Sequence, residues 1–242
     1  MNSGNATYEQ RGENVVPLIG KGDKRKITAT FTVSADGAFL PMQLIYSGKT
    51  QRSLPKGNIF PPSFDVTMNP KHWANESTVL KLIDSVLIPY IAAERERLGD
   101  PNQRALLIFD VFRAHLTDLV VQKLLQHNIH FVLVPPNMTD LYQPLDVSVN
   151  RAAKSTIHKL YSAYYREEVT KQLEAGKQPH DVQVDLRIST LKPLHAKWIV
   201  KVYDRFQTQK GKDIIINGFR RAGILEAINY TQFPEQDPFK DL

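Results

Sequence analysis

Three features of the sequence predict an α/β fold with a mixed sheet. Two β-rich runs flank Asp36-Gly37 in KITATFTVSADGAFLPMQLIYSG, a strong hairpin signal. Two apolar runs, at 104–110 and in IHFVLVP up to Pro135, are separated by one stretch of helical period, which is the pattern of a crossover connection. Between the hairpin and these runs, apolar residues recur at helical spacing.

Taken in order, strands are expected near 26–34 and 38–47, with Pro41 marking an edge or bulge in the second. A Pro-rich loop (Pro55, Pro61, Pro62) leads to a short strand near Phe64–Met68. Val79, Leu82, Ile83, Val86, Leu87, Tyr90 and Ile91 then repeat as one helix face, with Asn75 as N-cap, Gly99 as stop and Pro89 as a candidate kink. The strand 104–110 is five apolar residues running straight into Asp110. A helix near 116–127 and the strand ending at Pro135 complete the central unit. The loop PPNMTDLYQPLD opens a long helix near 146–175, stopped by Gly176. After a polar loop at 177–187, helices are expected near 189–208 and 211–223, and the last fifteen residues read as a loose tail.

Composition bounds the function. The chain has 242 residues, 42% of them hydrophobic, which suffices for a real core and one or two domains. It has no cysteine, which excludes disulfides and thiolate metal sites. No apolar run approaches the roughly 18 residues of a membrane span, and MNSGNATYEQ is no signal peptide, so an intracellular soluble protein is expected. The net charge is +6. From Arg151 to Arg221, fifteen Lys and Arg face seven Asp and Glu, a local +8 that leaves −2 for the remaining residues. Such a basic helical region is either a solvated surface or a face that follows a phosphate backbone.

Ligand sites in open α/β sheets form beyond the carboxyl ends of strands. Asp110 sits at such an end, and Asp146 at or near a helix start 36 positions later. One strand–helix–strand–loop excursion is enough to bring them back together. Two converging carboxylates repel each other unless a divalent cation lies between them, and Mg²⁺ is held by one or two carboxylates plus substrate phosphate. The plainer alternatives are that Asp146 is a helix N-cap and Asp110 caps the turn at Phe112–His115. His115 stands in the same loop as Asp110, where it either touches substrate, orders the carboxylate or faces solvent.

LLIFDVFRAH followed by VPPNMTDLYQPLDVSVN resembles the DDE superfamily endonuclease domain. More narrowly, the chain is similar to the pogo, Tigger and jerky group of transposases, to which centromere protein B is related. GKGDKRKITATFTVSADGAFLPMQLIYSGKT, NPKHWANESTVLKLIDSVLIPYI and GKDIIINGFRRAGI resemble the same group, so the likeness runs from about Tyr8 to Ile228. It implies an RNase H-like fold, a five-strand mixed sheet with flanking helices, and a triad of acids binding Mg²⁺ or Mn²⁺. Asp110 matches the second acid and Asp146 the third. It also implies DNA as partner and the nucleus as location, since Lys21–Lys26 is the only basic cluster near a nuclear-import type. Lys154, two turns past Asp146, and Arg151 are the candidate phosphate contacts.

The first acid of the family lies on its first strand, before the segment that matches Thr7–Gly12. Glu9 and Glu13 fall after that point; Asp23 and Asp36 belong to the basic stretch and the hairpin turn. The expectation is therefore an RNase H-like domain over 1–175, incomplete at its first strand, with a helical extension and tail over 176–242. The sheet is expected to be distorted, to recruit a substitute strand, or to belong to a longer product. Two functions follow: a transposase-derived endonuclease domain with impaired chemistry, or a domesticated remnant that binds nucleic acid or protein without chemistry. A generic α/β protein with two capping aspartates is the third reading.

Overall fold

The computed structural model describes residues 27–230 apart from Asn58. The expectations about the N-terminal 26 residues and most of the tail lie outside these. Strands β1 (Ile27–Thr30), β2 (Gln43–Ser47) and β3 (Asp65–Asn69) form one sheet, with β1 antiparallel to β2 and β2 parallel to β3. Strands β4 (Ala105–Asp110) and β5 (Ile129–Val134) form a second, parallel pair. The hairpin turns at Asp36-Gly37 as the sequence predicts. Gly37 has φ +95°, and its N–H donates to Ser34 O at 3.0 Å. The ladder is interrupted before Pro41, leaving only a Val33–Phe39 bridge between the turn and β2.

Helix α1 (Glu76–Leu82) starts at a capping box in which the Asn75 side chain accepts from Thr78 N and Asn75 N donates to Thr78 Oγ1. A π-helical turn at Ile83–Leu87 joins it to α2 (Ile88–Leu98). The turn shifts the hydrogen-bond register just before Pro89, so the proline sits in the first turn of α2, where its absent N–H is tolerated. Gly99, left-handed at φ 70°, ends the helix. Helix α3 (Asp118–Gln126) makes the crossover from β4 to β5. After the short α4 (Thr139–Tyr142), a second π-helical turn at Leu145–Val149 feeds α5 (Asn150–Glu174). Helices α6 (Ile188–Phe206), α7 (Gln209–Arg221) and α8 (Ile224–Tyr230) follow, and α8 takes the place of the first residues of the expected tail.

The main core joins the three-stranded sheet to the C-terminal helices. Phe39, Met42 and Leu44 pack with Val149, Ile199, Val202, Phe206 and Ile215. Phe39 and Phe206 stack with ring centroids 4.6 Å apart. A second core gathers Val79, Ile83, Leu87, Val120, Leu124 and Ile129 between the α1 helix, α3 and the β4–β5 pair. One buried polar group is built into the three-stranded sheet. Asp65 is held by Gln43 Nε2, which also donates to Thr78 O, both at 2.7 Å, and by the Lys81 ammonium.

The fold is α/β and RNase H-like: a mixed set of strands flanked by helices, with a helical C-terminal region. Among the described residues no strand lies between β1 and β4. Their facing edges instead line a cavity of about 510 Å³.

Candidate active site

Asp110 is the last residue of β4, in register with Val134 of β5. Its carboxylate is about half exposed, at 46%. The chain then turns through a short 3-10 turn at Arg113–His115, and Asp110 O accepts from Phe112 N at 2.9 Å. That turn swings His115 back onto the strand tip. His115 Nδ1 lies 3.3 Å from both Asp110 Oδ1 and Asp110 O. The ring is wedged between Phe109 and Phe112, with centroids 4.7 and 5.4 Å away. His115 is therefore an orienting neighbour of Asp110, and the carboxylate itself makes no cap to the turn.

Asp146 lies in the first turn of the π-helical segment, where a negative charge meets the positive end of the helix dipole. It is not an N-cap: that place belongs to Pro144, and the turn has no side-chain cap. The Asp146 carboxylate instead accepts from Asn150 Nδ2 at 2.6 Å, an i,i+4 pair on one helix face. The turn is held from behind by α7. Ser148 Oγ donates to Ile214 O at 2.9 Å, and Gly218 brings α7 against the Pro144 carbonyl.

The cavity between β1 and β4 draws these parts together. Asp110, His115, Gln143 and Asn150 all line it, so the β4 tip and the partner of Asp146 share one space. Arg151 and Lys154 are exposed on α5, and His158 continues their face at i+7. Asn150 also lines a second cavity of about 580 Å³, bordered by Lys154, His158, Tyr161 and His195. The basic stripe thus begins where the acid-bearing turn ends.

The model of the DDE superfamily endonuclease family matches residues 24–215. The chain belongs to this family. It is 27% identical over 223 residues to a "Pogo transposable element with KRAB domain" of Mus musculus, covering 90% of this chain and 32% of that protein. The human protein of that description is 32% identical over 158 residues, 64% of this chain and 24% of its own length. "CENP-B homolog protein 2" of Schizosaccharomyces pombe is 25% identical over 208 residues, 84% of this chain and 36% of that protein. This chain therefore spans at most about a third of the length of these relatives. No solved structure matches it.

The divalent ion that the family uses takes hard oxygen donors. Here each acid already has a partner, His115 for Asp110 and Asn150 for Asp146. Among the described residues no group of three or more His, Asp or Glu is gathered to hold a metal. The donors gathered among the described residues are fewer than a closed metal cage needs. Sequence reasoning passed over Asn150 and Gln143. The spacing of Asp146 and Asn150 in DVSVN was the available signal for the first. Gln143 reaches the cavity through a loop whose course no periodicity encodes.

Proposed function

We propose that this chain is a transposase-derived DDE domain that binds DNA in the nucleus and is impaired in phosphodiester cleavage. The observation that carries the DNA reading is the stripe Arg151–Lys154–His158 running along α5 from the end of the Asp146 turn. Among the described residues neither Arg151 nor Lys154 is paired with a carboxylate, and both are exposed, so their charges are available to phosphates. Family membership supports DNA as the substrate class and, with it, the reading of Asp110 and Asp146 as the second and third acids. The impairment reading is supported by the donor count among the described residues: a nuclease of this type places metal-bound oxygens on both sides of a phosphorus, and no third carboxylate is gathered there with Asp110 and Asp146. No helix among the described residues is long and apolar enough to cross a membrane.

The test is fluorescence anisotropy on a labelled DNA duplex across salt from about 50 to 200 mM. Wild type should bind with an affinity that falls linearly in log–log form. The pair Arg151→Glu with Lys154→Glu should weaken binding about ten-fold or more and flatten the slope by about 0.9 for each lost phosphate contact. Absence of binding at the lowest salt, or a variant that binds like wild type, overturns the DNA reading. A plasmid-nicking assay with Mn²⁺ addresses the chemistry. No nicking is expected; nicking abolished by Asp110→Ala or Asp146→Ala shows that two acids suffice and removes the impairment.

A further inference from the structure

We infer that the loops closing the carboxyl ends of β2 and β3 form a stacking platform for unpaired nucleotides, with Trp73 as the surface that receives a base. This goes beyond the duplex reading of α5 and does not depend on it. β3 is the strand of its sheet farthest from β1, so the platform lies at the opposite edge from the cavity that α5 borders. The first observation is Trp73 itself, 61% exposed. Tryptophan is highly buried on average, and the other tryptophan of the chain, Trp198, is buried against Tyr161 and Tyr164. The second is the scaffold. Asn69 holds the loop at both ends, donating from Nδ2 to Trp73 O at 2.7 Å and accepting at Oδ1 from Lys71 N at 3.1 Å. Between them His72 is left-handed at φ 55°, a conformation that costs a non-glycine residue free energy. Its ring lies nearly parallel to the indole, with centroids 6.1 Å apart. The neighbouring loop is tied on by Gly48 N, which donates to Asn69 O at 2.9 Å, and by Ser47 Oγ, which donates to Pro70 O at 3.2 Å. A braced loop therefore holds the indole out in solvent.

Charge identifies the ligand. From Gly37 to Asn75 the chain has four cations, Lys49, Arg52, Lys56 and Lys71, and one acid, Asp65. All four cations are exposed, whereas Asp65 is buried and paired with Lys81. Among the described residues none of the four is paired with a carboxylate. Glu76, the acid next along the chain, sits in the first turn of α1, where the helix dipole attracts it. Among the described residues of the two loops, 48–57 and 70–74, Trp73 is the only exposed large apolar side chain, so it is no part of an apolar patch of the kind that docks proteins. A lone aromatic face on loops whose exposed charges are all positive suits a single strand, whose bases stack on the ring while its phosphates meet the cations. A duplex keeps its bases stacked on one another and offers the indole no face.

The probe is an oligothymidylate of about ten nucleotides, beside an abasic oligomer of the same length and charge and an oligoglutamate. Binding is read on the whole chain by tryptophan fluorescence and by anisotropy of an end-labelled probe. Trp198 is buried, so quenching reports Trp73. The oligothymidylate should quench, and the abasic oligomer should bind about ten-fold more weakly or worse, without quenching. Trp73→Ala should bring the oligothymidylate down to the level of the abasic oligomer, and Trp73→Phe should recover part of the loss. Arg52→Glu with Lys71→Glu should weaken both oligomers. Duplex affinity should not change in Trp73→Ala, so a failure of the α5 reading and a failure of this one are separate results. The inference fails if the oligothymidylate does not quench, if the abasic oligomer binds as tightly, or if Trp73→Ala binds the oligothymidylate like wild type. It also fails if Trp73→Ala costs the duplex as much affinity as the single strand. Binding of the oligoglutamate with the same dependence on Trp73 overturns it too, because the surface would then serve an acidic polypeptide.

Discussion

Gly218→Ala is expected to loosen the seat of the Asp146 turn. A Cβ at this position would lie 2.5 Å from Ser148 Oγ and 2.7 Å from the Pro144 carbonyl oxygen. The hydroxyl can rotate away, but the carbonyl belongs to the backbone of the turn and cannot. Within a helix, alanine gains about 0.5–1 kcal/mol over glycine. Overpacking against a fixed wall costs about 1–3 kcal/mol. The midpoints of the two ranges leave a net loss of about 1 kcal/mol, which for a domain of this size lowers Tm by roughly 2–4 °C. Circular dichroism at the helical band measures it. Ser148→Ala in the same molecule should recover only part of the loss, since the carbonyl contact remains. A Gly218→Ala protein as stable as wild type, or more stable, would refute the claim that α7 props the turn through this glycine.

Lys81→Met should cost about 1–3 kcal/mol in urea unfolding, because among the described residues it leaves the buried Asp65 carboxylate with Gln43 as its remaining side-chain partner. Adding Asp65→Asn should restore part of that, and a neutral Lys81→Met would show that the ion pair contributes nothing. Asp185 is held well below the usual carboxylate range by side-chain and backbone hydrogen bonds from Arg187, reinforced by Thr190 Oγ1. A depressed folded-state value means its contribution is complete above the ordinary aspartate range, near pH 4, and drains away as pH falls through the folded value. The stability gap between wild type and Asp185→Asn should therefore narrow on acidification below about pH 4 in a series of urea titrations; a gap that stays constant with pH contradicts the assignment.

Much of this fold was legible because its signals are local. The Asp36-Gly37 turn, the Asn75 box and the Gly99 stop each encode their own geometry within a few residues. The parallel crossover from β4 to β5 follows from an apolar run, a helix and a second apolar run. The two π-helical turns were not legible: the apolar spacing from Val79 to Ile91 runs unbroken through the first, and the second lies at the very start of its stripe, where little periodicity precedes it. Asp146 shows the same limit at the site. Spacing places it at a helix start, but whether its carboxylate caps the backbone or takes the Asn150 amide depends on how the turn is wound. The conversion of His115 from a loop residue into a packed neighbour of Asp110 depends on Phe109 and Phe112, whose ring positions only the folded chain defines.

The divided sheet also shapes how the molecule comes apart. Backbone ladders are what usually tie the cores of an α/β protein into a single cooperative unit, and among the described residues none crosses from β1 to β4. Each half keeps its own hydrophobic centre, one built on Phe206 and Met42, the other on Leu124 and Ile129. Between them stands a small cluster of Leu40, Leu82 and Val86. The crossover unit of β4, α3 and β5 can then open while the Phe39–Phe206 half stays folded, giving two sub-global openings of different free energy. Denaturation is accordingly expected to show two transitions, the first exposing the strand that carries Asp110, which probes placed in the two halves would read at different midpoints.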